Sequence, residues 1–310
     1  MSAKIVVVGS SNTDMVIKVP RLPMPGETLL GSDFFIAAGG KGANQAVAIA
    51  RLGGDVSFVA RIGKDSFGEE SISNLINEGI DVRFIVRENE AHSGVALIFV
   101  DSNGENQIVV APGSNSKLSP YDVYQAEEVI KNCYVLLVQL EIPLSAVYSA
   151  IELAKKYDKL IILNPAPAKE IEPAFLSQIH VLTPNEHEVS ILSGIDVKDE
   201  HTAKESAYAL IDKGVENVVV TMGGSGTLIV NKVGSELIHP PKVKPVDTTA
   251  AGDAFNGALA FALARNDNLS DAVRFANFTA ALSVTRMGAQ PSLPTFNEVV
   301  EFMESGKKCS

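Results

Sequence analysis

Val135-Leu136-Leu137-Val138-Gln139-Leu140, then Leu144–Tyr157, then Leu160-Ile161-Ile162-Leu163, is the stretch that decides the fold. Its first and last pieces are short, mostly apolar runs, the pattern of strands buried on both faces. Between them apolar side chains return every three or four positions, from Leu144 through Val147 and Ile151 to Ala154. That spacing predicts a helix with one core-facing stripe. A strand, a helix and a strand joined by short links form a crossover whose two strands run parallel. Outward from this unit, Ile5–Val8, Val56–Ala60, Val181–Thr183 and Val218–Thr221 read as strands, with Gln45–Leu52, Ser66–Glu78 and Thr202–Lys213 as helices. The expectation is an α/β fold with a central, mostly parallel sheet flanked by helices.

Two segments break the alternation. Met15–Val19 and Asp33–Ala37 read as strands around the turn-rich Pro20–Gly31, and Gly94–Val100 and Asn106–Ala111 flank the hairpin signal Asp101-Ser102-Asn103-Gly104-Glu105. With no helices between them, these four strands predict a small antiparallel β-sheet, placed as a lid over the strand ends. We therefore expect a single α/β domain over 1–310, with lid strands drawn from about 12–38 and 94–112. Neither an internal repeat nor a low-complexity segment is evident.

A hydrophobic fraction of 46% is enough to bury a substantial core in 310 residues. Against 26 Lys and Arg stand 37 Asp and Glu, a net charge of −11, which repels nucleic acid and anionic membrane surfaces. Two cysteines, Cys133 and Cys309, form no disulfide framework and read as non-functional thiols of a reducing compartment. The apolar run Ile5–Val8 is too short for a signal-peptide core, and no apolar stretch approaches the roughly 20 residues that span a bilayer. A cytoplasmic location is expected.

Four constellations can carry chemistry. Gly39-Gly40-Lys41-Gly42-Ala43-Asn44 leads into a helix, so backbone amides can approach a ligand while Lys41 and Asn44 donate to it. The spacing is neither a P-loop nor a dinucleotide fingerprint, and a tight structural turn is an even alternative. Asp247-Thr248-Thr249-Ala250-Ala251-Gly252-Asp253-Ala254-Phe255-Asn256-Gly257 places small residues before an apolar helix. Amides there can form an anion hole, with Asp253 beside it to take a proton from a substrate hydroxyl. Asp253 as a plain helix cap is the structural alternative; it leaves Gly257, inside the helix, without a reason. Thr221-Met222-Gly223-Gly224-Ser225-Gly226 is a glycine-rich bend at a strand's carboxyl end, fit for a nucleotide or for a hairpin turn. Thr183-Pro184-Asn185-Glu186-His187-Glu188 offers carboxylates to a Mg²⁺ through water, or a solvated helix start. The five histidines show no metal-ligand spacing, and neither a nucleophile elbow nor a Cys-x-x-Cys pair occurs.

Together these segments resemble the ribokinase family of carbohydrate kinases. Gly39–Asn44 continued by Arg61-Ile62-Gly63-Lys64-Asp65-Ser66-Phe67-Gly68 is similar to its N-terminal signature and Asp247–Gly257 to its C-terminal one. Gly9–Asp14, Pro25–Thr28, Gln139–Glu141, Asn164–Ala168 and Gly288–Ser292 extend the likeness over nearly the whole chain. The resemblance implies Asp253 as general base and the amides of Ala250, Ala251, Gly252 and Asp253 as the anion hole. It implies a sugar site of Asn12, Asp14, Gly40, Lys41, Asn44 and Glu141. Asn185 and Glu188 would organise phosphate and Mg²⁺, and Thr221, Gly223, Gly226, Gly252 and Asn277 would meet ATP. An activating K⁺ would sit by Asp247 and Thr249 with groups from Ser283, Arg286, Gly288 and Ser292. The lid resembles a dimerisation sheet, which implies a homodimer.

The substrate expected is D-ribose, phosphorylated at O5 with ATP. Neither the partners for a base that an adenosine kinase needs nor the extra cations that a phosphofructokinase needs stand out in the lid and Gly39–Asn44. A kinase for 2-deoxyribose is the alternative. A nicotinamide oxidoreductase lacks its Gly-x-Gly-x-x-Gly after Ile5–Val8, where Gly9-Ser10-Ser11-Asn12 stands. A non-catalytic sugar-binding protein on the same fold would have little use for the Gly252-Asp253 pair.

Overall fold

The computed structural model describes residues 4–101 and 106–307. The main sheet has nine strands in the order β13-β12-β11-β10-β9-β8-β1-β4-β5. Their ranges are β1 Lys4–Val8, β4 Asp55–Gly63, β5 Ile85–Glu88, β8 Val135–Gln139, β9 Leu160–Asn164, β10 Val181–Leu182, β11 Asn217–Thr221, β12 Thr227–Asn231 and β13 Ser235–Ile238. The second sheet, in the order β3-β2-β6-β7, comprises β2 Asn12–Lys18, β3 Phe34–Gly39, β6 Gly94–Val100 and β7 Asn106–Ala111. The helices are α1 Lys41–Arg51, α2 Ser66–Asn77, α3 Pro120–Gln125, α4 Glu127–Lys131, α5 Leu144–Lys156, α6 Pro173–Leu176, α7 Glu186–Ser193, α8 Glu200–Asp212, α9 Ala251–Ala264, α10 Leu269–Ser283 and α11 Phe296–Lys307.

Seven main-sheet strands pair parallel, from β11 to β5. Side chains alternate across this sheet and feed two cores. Ile5 and Val7 join α1, α9 and α10 on one face; Val6 and Val8 join α5 and α8 on the other. The antiparallel β12 and β13 close one edge, a hairpin that alternation of strands and helices does not announce. The glycine-rich bend after Thr221 joins β11 to the antiparallel β12, so that segment is a hairpin turn whatever else it does.

The expected small sheet is present, with antiparallel pairing at both outer edges, β2 with β3 and β6 with β7. Its central pair, β2 with β6, runs parallel. The reason lies in the connections: β1 leads into β2 and β5 into β6, and β1 and β5 point the same way in the main sheet. Ser102–Glu105 of the hairpin signal, and Cys309, lie outside the described residues. Cys133 is buried, donates to Ile130 O, and its thiol is pushed up to about 12 by burial, which leaves it unreactive. No helix among the described residues is long and apolar enough to cross a membrane.

Candidate active site

The carboxyl ends of β1, β8, β9 and β10 converge on the start of α9, as open α/β sheets require of a ligand site. Asp253 is the third residue of α9 and only 6% exposed. It does not cap its helix. Asn44 Nδ2 donates to its Oδ2 and Gln45 Nε2 to its Oδ1, both at 2.9 Å. The residue before α9, Ala250, has a φ of 59°, a left-handed conformation that costs a non-glycine residue roughly 1–2 kcal/mol. The amide of Ala251 is used by Thr248 O at 3.2 Å. The amides of Gly252 and Asp253 have no partner among the described residues, so two free donors stand at a helix N-terminus beside a buried carboxylate.

A chain of buried amides fixes this corner. Gln139 Nε2 donates to Gln45 Oε1, and Gln45 Nε2 reaches Asn164 Oδ1 as well as Asp253. Asn164 donates to Thr183 O, Thr183 Oγ1 to Asn256 Oδ1, and Asn256 Nδ2 to Gly252 O. The ends of β8 and β9 and the residue after β10 thus hold the first turn of α9. Sequence reasoning assigned no role to Gln45, Gln139 or Asn164. Their signal was available: a buried amide at the end of an apolar strand demands a partner.

Asp14, Lys41 and Glu141 surround the same corner. Gly40, with φ of 87°, turns the chain from β3 into α1. Glu141 Oε2 accepts from the amide of Lys41 at 3.1 Å and from Ser10 Oγ at 2.5 Å. Burial, reinforced by Glu141 and Asp253 and opposed by Lys41, pushes Asp14 up to about 7. Burial raises Asp253 too, against Lys41 and the bonds from Asn44 and Gln45. Burial would lower Lys41, but Asp253, Glu141, Glu188 and Asp14 outweigh it and hold its ammonium charged. Asn44 Oδ1 and Gln139 Oε1 are buried without a partner among the described residues. Asn12 is buried in the sheet beside Asp14.

On the far side of Gly252 lies a cavity of about 590 Å³. Thr221, Gly223, Gly226, Gly252 and Asn277 line it, together with Phe255 and with Pro240–Val243 and Val284, which the sequence did not single out. Asn277 also ties β12 to β13, accepting from Thr227 Oγ1 and donating to Ile238 O. Asn185 bridges to Thr221 but does not line the cavity; it forms a capping box with Glu188 at the start of α7. Glu188 Oε2 accepts from Asn185 N, and its buried carboxyl is raised by desolvation.

Beyond the cavity, Asp247 Oδ1 accepts from the amide and hydroxyl of Thr249 and Oδ2 from the amide of Gly288. Burial would raise Asp247, but these bonds outweigh it and keep the carboxylate ionised. Val284 O receives the amides of Val246 and Asp247, which brings the end of α10 to the same place. Ser283 and Ser292 are buried, their hydroxyls donating to Ala280 O and Ala289 O. The Arg286 guanidinium pairs with Glu298, so only the backbone of Arg286 can face a cation. Arg61 and Asp65 of the N-terminal signature serve the scaffold, Arg61 pairing with Glu88 and Asp122 and Asp65 capping α2.

A model of the pfkB family of carbohydrate kinases matches residues 2–296. The chain belongs to that family. It is 46% identical over 304 residues to the ribokinase of Haemophilus influenzae, covering 98% of this chain and 99% of that one. To the deoxyribokinase of Salmonella typhi it is 38% identical over 302 residues, covering 96% and 98%. The structure of Arabidopsis thaliana ribokinase complexed with ribose and ATP matches with a TM-score of 0.90 at 31% identity, covering 98% of this chain and 99% of the other. The buried Asp253 thus stands between the corner of Asp14, Lys41 and Glu141 and the cavity that Gly252 lines.

Proposed function

We propose that the chain transfers the γ-phosphoryl group of ATP to O5 of D-ribose, giving ribose 5-phosphate and ADP. The observation that carries this is Asp253, held at two oxygens by Asn44 and Gln45 beside the free amides of Gly252 and Asp253. The sugar lies among Asn12, Asp14, Lys41, Asn44 and Glu141, and the nucleotide in the cavity behind Gly252. As O5 bonds to the γ-phosphorus and the bond to the β-phosphate oxygen breaks, Asp253 takes the O5 proton. The free amides and Lys41 meet the charge on the transferring oxygens.

Glu188 fits a Mg²⁺ held through water: its Oε1 takes no donor among the described residues, and the charge of Mg²⁺ would neutralise the phosphates. Asp247, Thr249 and the backbone of Ser283–Gly288 supply the oxygen donors that a hard cation such as K⁺ prefers. Equal rates in K⁺ and tetramethylammonium salts would remove the K⁺ site. The charge balance and buried Cys133 suit a cytoplasmic enzyme.

The alternative, 2-deoxyribose, is favoured by one observation, the similarity to a deoxyribokinase. Coupled ADP-release kinetics on ribose, 2-deoxyribose, adenosine and fructose 6-phosphate test the choice. Ribose should give the highest kcat/KM, and a higher value for any competitor overturns it.

A further inference from the structure

The polarity of the sugar pocket is set one residue away from it. The backbone amide of Ser11 can only donate, and it donates to Asn115 Oδ1 at 2.9 Å. The other end of Asn115 is therefore its NH₂, which reaches Ser11 O at 3.1 Å and the side chain of Asn12 at 2.8 Å. A donor facing Asn12 must meet its carbonyl oxygen, so the Asn12 NH₂ is turned the other way. That NH₂ has no partner among the described residues, although Asn12 is only 4% exposed. Asn115 itself is 2% exposed, in a 3-10 turn at Gly113–Lys117 that follows the lid. The pair lies against Gly94, the residue opposite Asn12 in the β2–β6 register. A Cβ on Gly94 would overlap both Asn12 Oδ1 and Asn115 Nδ2, so the contact exists only with glycine there.

We infer that Asn115, seated against Gly94, is a positioning residue that turns the Asn12 NH₂ toward the sugar and thereby sets the preference for ribose over 2-deoxyribose. This rests on the sugar assignment above. Asn12 then offers donors only, and an acceptor is what the oxygen of a C2 hydroxyl supplies. With 2-deoxyribose this NH₂, on a residue only 4% exposed, loses that acceptor, and a site built to bond a hydroxyl discriminates against the sugar that lacks it. Similarity does not decide this point, since a ribokinase and a deoxyribokinase both align with almost the whole chain.

The variant Asn115→Asp keeps the acceptor for Ser11 N but sets a carboxylate oxygen against Asn12 Oδ1, which favours the flipped amide. We expect the ratio of kcat/KM for ribose to that for 2-deoxyribose to fall at least about tenfold, with KM for ATP unchanged. Gly94→Ala, which wedges a methyl group into the same bond, should lower the ratio in the same direction. A ratio that stays put in a folded variant, or an equal loss for both sugars, overturns the inference. Should neither variant fold, the wild-type protein decides by NMR. The Asn12 side-chain NH₂ resonances should move on saturation with ribose and not with 2-deoxyribose; equal responses to both, or none to either, overturn it. Failure of the enzyme to phosphorylate ribose at all would instead remove the sugar assignment beneath it.

Discussion

Asp253 and Asp14 are both buried carboxyls raised by desolvation, yet their surroundings divide the work. Asp253 is gripped by two amide donors, which orient it and favour its charged form. Asp253→Asn should leave folding and nucleotide binding nearly intact while turnover falls about 10²–10⁴-fold, the usual worth of a general base. Turnover above half of wild type, measured with ADP-release kinetics, would remove Asp253 from the mechanism. Asp14 is raised from 3.8 to about 7, so it titrates in the working range. In the proposed sugar site it accepts from hydroxyls as the carboxylate; kcat/KM for ribose should therefore level off above pH 7 and fall as pH drops below it. The stability consequence has the opposite sense: its folded value lies above the unfolded one, so its ionisation weakens the fold as pH rises from about 4 to 7. In Asp14→Asn the limb near pH 7 should disappear; an unmoved limb would assign it to another group.

At the scale of elements, α1 and α9 are the pair that brings Asn44 and Gln45 to Asp253, and they meet closely. A Cβ on Gly257 would lie 2.6 Å from Ala48 Cβ and 2.9 Å from Gln45 O. Packing of two helices, not the anion hole, is thus the reason for a glycine inside α9. Gly257→Ala should destabilise the protein by about 1–3 kcal/mol through overpacking, although alanine is the better helix former by about 1 kcal/mol. Urea unfolding measures this; a stabilised variant would contradict the contact. Because the strain falls on Gln45, kcat should drop as well. Glu188 caps α7, and the proposed function gives it a second part, facing the phosphates. Glutamine also serves in a capping box, so Glu188→Gln should keep the unfolding midpoint while raising the Mg²⁺ concentration needed for half-maximal rate. An unchanged Mg²⁺ dependence would leave Glu188 as a cap alone.

At the scale of the whole molecule, the four-stranded sheet is too apolar to stand alone. Ile108 and Val110 are 54% and 44% exposed on the face shared with Asp14, and Phe34, Leu97 and Val109 are exposed on the other. Such a sheet invites another. We predict a homodimer formed by two lids, the face bearing Ile108 and Val110 against its copy. Ile108→Glu should shift the mass seen by light scattering toward the monomer. A wild-type monomer at micromolar concentration with full activity would count against the dimer.

The α/β architecture, the extra sheet, and the segments Gly39–Asn44 and Asp247–Gly257 were legible in the sequence because each is written locally. Periodicity marks a strand or helix from its own residues, and small residues before a helix mark a sharp turn at its N-terminus. The β12–β13 hairpin and the parallel β2–β6 pairing were not legible, since pairing is decided by where chain connections emerge. Nor were the partners of Asp253: Gln45 lies 208 residues away in sequence, and only the packing of α9 on α1 makes them neighbours. The direction in which Asn12 points is likewise written nowhere near Asn12, because Asn115, 103 residues on, decides it. Residue types able to donate, accept or take a proton were thus determined by the sequence alone. Which of those groups are used up by one another, and which are left free for a ligand, was decided only by burial in the tertiary structure, where every polar atom must find a partner or await one.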